Sequence, residues 1–319
     1  MDELDFTVTT LYSELVERLR ADLDIPSSGS IVTKDVKGHP YDYHRISYMG
    51  KSLQFYLGAS RGNIKERLQN RAKLCSMLIR GGAHTPDRTI ATTIELLDAI
   101  GVFRKQTGVL IGSHAFAAIG NMLGVSWASK LTHTMDIDIG RDFRVAGKEP
   151  IQVHDVLIKA GFMEVPSLDY RHPASSFALK KPRIKIDFLT PKKGKGRKAP
   201  VKIAGMGVYA DELRFLDYLI EAPEQAAVLT KYGVLVNVPQ PARYAFHKLI
   251  VATRRPPTDD AKLRKDIRQA ESLIKVLSDH RPDDLRDAWE ALPWKKLTKA
   301  STKMLGKDVQ QELSKTVSG

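Results

Sequence analysis

The stretch TMDIDIG, residues 134–140, sets two aspartates one residue apart among aliphatic neighbours. In a strand alternate side chains share a face, so Asp136 and Asp138 point one way while Met135, Ile137 and Ile139 point the other. Two carboxylates at that distance repel, and one becomes hard to ionise unless a cation lies between them. The stretch therefore reads as a strand with one buried face and one charged face that asks for a metal.

A second segment, RIKIDFL at 183–189, alternates in the same way. Ile186 and Phe188 are expected to face the core, with Lys185, Asp187 and Leu189 on the other side. A lone strand aspartate is usually paired with an arginine or caps a neighbouring element. Three aspartates in two apolar strands are harder to dismiss, because burying like charge costs roughly several kcal/mol per group unless it is compensated. Hard divalent cations such as Mg²⁺ prefer carboxylate oxygen and also bind phosphates. Two such ions about 4 Å apart can activate a hydroxyl and neutralise a leaving group. Upstream, Val109 to Ile111 reads as a short strand, Gly112-Ser113 as a turn, and a helix is expected from about Ala115. A glycine there lets backbone approach a ligand, and free N–H groups at a helix start bind phosphate. On its own, such a turn is also what any strand-to-helix junction needs.

Gly-Ser at a helix start, Asp-x-Asp on a strand, then one Asp on a later strand resembles the DNA polymerase β nucleotidyltransferase superfamily. The resemblance implies that Gly112 and Ser113 hold the phosphates of a bound nucleoside triphosphate and that Asp136, Asp138 and Asp187 hold two metal ions, Mg²⁺ with Mn²⁺ as a substitute. It further implies that Asp187 helps deprotonate the attacking hydroxyl. The 22 residues between Ser113 and Asp136 form a longer connection than many members have. With Thr134 before the pair, they resemble the bacterial branch that includes AbiEii-type abortive-infection toxins. PARYAFHKLIVATRR (241–255) and AKLRKDIRQAESLIKVL (261–277) resemble the helical segment of that branch. There Lys248 is expected to contact phosphates and Asp266 to orient it or a neighbouring basic group. From the residues alone, Lys262 and Asp266 are an i,i+4 surface pair beside a stripe of Leu263, Ile267, Ala270, Ile274 and Leu277. Arg141 and Arg144 follow the aspartates closely enough to line the acceptor or nucleotide site, or to be solvated. His114 reads as an early helix residue.

The 50 Lys+Arg against 37 Asp+Glu give a net charge of +13, which favours a polyanionic partner. From Lys180 to Lys198 there are nine basic residues and one acid, Asp187, including the basic loop Lys192 to Lys198. No apolar run approaches bilayer length, the acidic start MDELDFTVTT lacks a secretion-signal layout, and Cys75 is the single cysteine. A cytoplasmic protein without disulfides is expected. Residues 29–59 are expected to form three short antiparallel strands with Tyr41, Tyr43, Tyr48 and Tyr56 among Lys34, Lys37, Arg45 and Lys51. That mixture suits stacking of unpaired bases, although strand aromatics more often pack against helices.

The expected fold is α/β (α+β): a polymerase-β-like nucleotidyltransferase core with a mixed sheet, a small N-terminal β-rich module and an all-helical C-terminal domain. The division runs 1–103 for the N-terminal helix, small sheet and helices, 104–240 for the catalytic domain, and 241–319 for the helices. The expected activity is Mg²⁺-dependent transfer of a nucleoside monophosphate from an NTP to an acceptor hydroxyl. RNA is the favoured acceptor, with the tRNA 3′ end as one form of it, in a toxin or defence protein that has an antitoxin partner. Nucleotidylation of a protein or small molecule, or nucleic-acid binding without catalysis, are the alternatives.

Overall fold

Apolar residues alternating through several short segments build a mixed sheet of nine strands, and that sheet carries the three aspartates. The computed structural model describes residues 1–60, 63–105, 107–145, 147, 150–167, 169–195 and 199–318. Arg197 and Lys198 of the basic loop lie outside them.

At the N-terminus come β1 (Asp2–Glu3) and α1 (Phe6–Ala21), then the antiparallel meander β2 (Ser30–Val36), β3 (His39–Tyr48) and β4 (Lys51–Ala59). Helices α2 (Ile64–Arg80) and α3 (Arg88–Ile100) follow. Asp5 and Asp87 cap α1 and α3 by accepting from the amides of Thr7 and of Thr89 and Ile90. The short sheet is not free-standing. Tyr48 turns inward, is 1% exposed, stacks on Phe162 at 5.8 Å and shares a hydrogen bond with Thr93 on α3. It therefore leaves the set of base-stacking tyrosines: an aromatic ring on the covered face of a small sheet supplies the packing that such a sheet needs to persist.

The central region runs β5 (Val109–Ile111), α4 (Gly112–Met122), β6 (Val125–Ser126), α5 (Ser129–Thr132), β7 (Asp136–Gly140), α6 (Val153–Ala160), β8 (Met163–Val165), β9 (Ser176–Leu179) and β10 (Ile184–Pro191). It continues through β11 (Val201–Ile203), β12 (Val208–Leu213), α7 (Leu216–Ile220), β13 (Glu224–Val228) and β14 (Val234–Val238). The strand order is β11-β12-β10-β7-β5-β14-β13, with β9 paired to β10 and β8 to β9. β7 and β10 are parallel, and β5 runs antiparallel to β7. Helix α4 begins at Gly112 and not near Ala115, because a φ of +70° at the glycine turns the chain straight from strand into helix.

The rest is helical: α8 (Pro241–Ala252), a 3₁₀ turn at Pro257–Asp259, α9 (Asp260–His280), α10 (Pro282–Glu290), α11 (Lys295–Thr302) and α12 (Lys307–Ser318). Pro241 and Pro282 each sit at the start of their helix, where a missing N–H costs nothing. One apolar cluster runs continuously from Ile46 in the small sheet, through the large sheet, to Leu313 in α12. Helices α1 and α2 add a second cluster against β13 and β14, in which Tyr12 bonds both the amide and the carbonyl of Ala227. The mixed α/β architecture with a helical C-terminal region matches the expected fold class. Among the described residues, no helix is long and apolar enough to cross a membrane.

Candidate active site

Parallel pairing of β7 with β10 sets Asp187 opposite Asp138, and Lys185 opposite Asp136. Neighbours in register share a face, so all four charged side chains stand on one side of the sheet. The other side is packed: Ile137, Ile139, Ile186 and Phe188 are at most 2% exposed. That burial fixes the register, because a slip of one residue would drive the aspartates into the core. On the far side of β7, Ile111 is the register partner of Asp138, and Gly112 follows it. A Cβ at Gly112 would collide with Asp138 Oδ2. The glycine is thus required twice, by its positive φ and by the closeness of the carboxylate.

The electrostatics follow from this crowding. Burial, then the charge of Asp187 and that of Asp136, push the Asp138 carboxyl up to about 6, against the opposing pull of Lys248 and Lys185. Asp187 is engaged by the Lys185 ammonium at 2.7 Å and accepts a hydrogen bond from the Ser176 hydroxyl. Among the described residues, no group of three or more His, Cys, Asp or Glu is arranged as a ready metal-binding set. The donor chemistry nonetheless fits a hard divalent ion. The face gathers three carboxylates whose like charge is answered only in part, by the ammonium of Lys185 and the more distant one of Lys248.

Two C-terminal helices close over this face. On α8, the Tyr244 hydroxyl donates to the carbonyl of Gly112 at 2.8 Å and so ties the helix to the Gly-Ser turn. One turn further on, Lys248 lies 5.3 Å from the centre of the Tyr244 ring and donates to Asp266 on α9 at 2.8 Å. Asp266 is 3% exposed and also accepts from Arg255 at 2.8 and 3.0 Å. Burial works against the Lys248 ammonium, but Tyr244 and Asp266 outweigh it and hold its pKa above the ordinary lysine value. Burial would likewise raise Asp266, yet Lys248 and then Arg255 hold it below the usual carboxylate range. The expected surface pair of Lys262 with Asp266 does not form. Lys262 is 4.0 Å from Asp259, and Asp266 belongs to the buried stripe with Gln269, Ala270 and Leu273. The stripe is rotated because α9 must cover both α8 and the polar turn beneath it, and Gln269 meets that demand by bonding Leu131 and Tyr244.

Ser113 stands half-buried in the first turn of α4, beside Gly112. His114 is buried, and burial first, then the charge of His84, pushes it down to about 4, so it stays neutral. Arg141 and Arg144 are not brought to the aspartates. Arg141 is 3% exposed and donates to the Val145 carbonyl at 2.6 Å, while Arg144 pairs with Asp142. Residues that sequence reasoning gave no role now enter the site: Lys185, Ser176, Tyr244 and Lys265. Lys265 donates to the His133 carbonyl at 3.1 Å, and its pKa is lowered by burial and then by Lys248. The i,i+4 spacing of Tyr244 and Lys248, and the i,i+2 spacing of Lys185 and Asp187, were the signals available for two of them.

A strand-turn-helix with a phosphate-type turn, beside acidic strands closed by a buried lysine, has the layout of a nucleotide-handling enzyme. A nucleotidyltransferase family model matches residues 88–294, more than half of the chain, and the protein belongs to that family. It is therefore an enzyme that transfers a nucleoside monophosphate from a nucleoside triphosphate, in a family that typically uses divalent metal. No curated protein and no solved structure matches the chain.

Proposed function

We propose that Asp136, Asp138 and Asp187 hold two divalent ions, Mg²⁺ or Mn²⁺, and that the Gly112-Ser113 turn with Lys248 holds the phosphates of the NTP. The observation that carries this is the register of Asp187 against Asp138, one residue from a glycine that leaves no room for a side chain. When bound, the ions supply charge neutralisation on the phosphates and lower the pKa of the attacking hydroxyl. Lys248 is kept charged and fixed by Asp266 and Tyr244, so it meets a phosphate oxygen without reorganising. Asp187 accepts the proton of the acceptor hydroxyl once Lys185 gives way. The acceptor oxygen attacks the α-phosphorus, the bond to the β-phosphate oxygen breaks, and pyrophosphate leaves. Positioning and charge neutralisation account for most of the acceleration in such transfers.

RNA is the proposed acceptor, with the 3′ end of tRNA as its most specific form. The support is the net charge of +13 and the basic run around β10, all of which except Arg197 and Lys198 lies among the described residues. A place in the AbiEii-like branch, with a toxin role and an antitoxin partner, rests on the motif order and the helical segment alone. The test is incubation of the protein and total RNA with α-labelled NTPs, with and without Mg²⁺. Label in RNA that requires the ion supports the proposal. Label in protein or in a small molecule moves the acceptor, and no label under any divalent ion removes the catalytic reading.

A further inference from the structure

The meander β2–β3–β4 has two unlike faces. Inward-pointing Asp42, His44, Ile46 and Tyr48 are all buried against the body of the protein. The opposite face is open. The register Lys34↔Tyr41 and Tyr43↔Tyr56 brings three tyrosines and a lysine together on it. Tyr56 is 61% exposed, and its ring centre lies 5.5 Å from that of Tyr43 and 6.0 Å from that of Tyr41. Lys34 sits 4.7 Å from the centre of the Tyr43 ring, and Gln54 Oε1 accepts from it at 2.9 Å. Arg45 continues the face one pair further on and is exposed.

The charge on this face has one sign. No outward position of the three strands carries a carboxylate: Asp42 points inward, and Asp35, also in the inward set, accepts from the Gly38 amide at the turn. Among the described residues, no ion pair engages Lys34 or Arg45, and the chain as a whole is at +13. Clustered ring faces beside unpaired cations, without acids, are what unpaired bases and their phosphates require: each base stacks on a ring while the backbone follows the cations. A duplex hides the faces of its bases and cannot use the rings.

We propose that this outer face is a stacking platform for single-stranded nucleic acid, with Tyr41, Tyr43 and Tyr56 receiving bases and Lys34 and Arg45 receiving phosphates. The proposal extends the RNA-acceptor reading above, and its test separates the two. The full chain, without NTP or divalent ion, is titrated against a labelled oligoadenylate of about 12 nucleotides, within the ~4–16 nucleotides that such platforms span, and followed by fluorescence anisotropy. Tyr43→Ala and Tyr56→Ala should each weaken binding by roughly five- to a hundredfold, whereas Tyr56→Phe should bind as the parent does. Tyr170→Ala, at a residue 89% exposed and outside the sheet, is the control and should change nothing. Binding that survives both alanine variants, a duplex held as tightly as the single strand, or an oligonucleotide that the parent does not bind would each overturn the platform. RNA labelling with binding unaffected by the tyrosines would remove the platform and leave the acceptor reading. Tyrosine-dependent binding without RNA labelling would do the reverse.

Discussion

Asp138 and Asp266 are both largely withdrawn from water, and their surroundings push them in opposite directions. Asp266 meets Lys248 and Arg255 and is held below the usual carboxylate range, so its charge is fully answered within the chain. Asp138 meets Asp187 and Asp136, and its carboxyl is pushed up to about 6. One carboxylate is scaffold; the other stands among like charges. The difference teaches where the molecule is stabilised by paired charge and where it tolerates crowded like charge.

The largest effect expected is on the scaffold side. Asp266→Ala leaves two cations buried without a partner and should cost about 3–5 kcal/mol in denaturant unfolding. A change under about 1 kcal/mol would mean that Lys248 and Arg255 find other partners. On the other side, Asp138→Asn should lower nucleotidyl transfer at least about a hundredfold, the scale for losing one electrostatic contact in a transition state. It should nevertheless unfold no more easily than the parent at pH 8, because it removes a like charge. Mg²⁺ should raise the melting temperature of the parent and not that of Asp138→Asn; equal shifts would break the contrast.

A third carboxylate sharpens the comparison, because it is strained without serving the site. Glu95 is pushed up to about 7, first by burial and then against a Thr230 hydrogen bond with the help of Asp98. Its folded value lies above its unfolded one, so its contribution is fully present below the unfolded value of about 4.3 and is lost as pH rises through about 7. Between those limits the parent should lose about 3–4 kcal/mol relative to Glu95→Gln. Parallel pH profiles for the two would show that Glu95 is not the group responsible. The smallest effect is at Lys185, whose ammonium competes for Asp187. Lys185→Met should change stability by less than about 1 kcal/mol and shift the Mg²⁺ titration of the melting temperature to lower concentration.

Much of the acidic face was legible in the sequence because it depends on period alone. Alternation in TMDIDIG and RIKIDFL fixed which residues were inside, and the parallel pairing then aligned the rest. What was illegible depended on elements distant in the chain. From spacing alone Asp266 looked like half of an i,i+4 surface pair, because nothing local shows that α8 lies across it with Lys248; only the family resemblance paired it with that lysine or a neighbouring basic group. Arg141 looked available to the site, but the turn after β7 carries it away to Val145. Tyr48 counted as one of four equivalent tyrosines until the packing of the small sheet on Phe162 divided them between two faces. Lys185 was visible as a neighbour of Asp187 on the same face, yet its ion pair is a matter of rotamer and burial, which spacing does not report.

The hydrogen bond from Tyr244 to the carbonyl of Gly112 has a consequence for how this enzyme can be cut or recombined. A fragment ending at residue 240 would keep Asp136, Asp138 and Asp187 and lose both the clamp on the turn and the lysine beside it. Any foreign tail grafted there would have to bring a tyrosine and a lysine one helical turn apart, already neutralised from behind. The helices after the sheet therefore hold the turn and the buried lysine in place, and cannot be exchanged as an appendage.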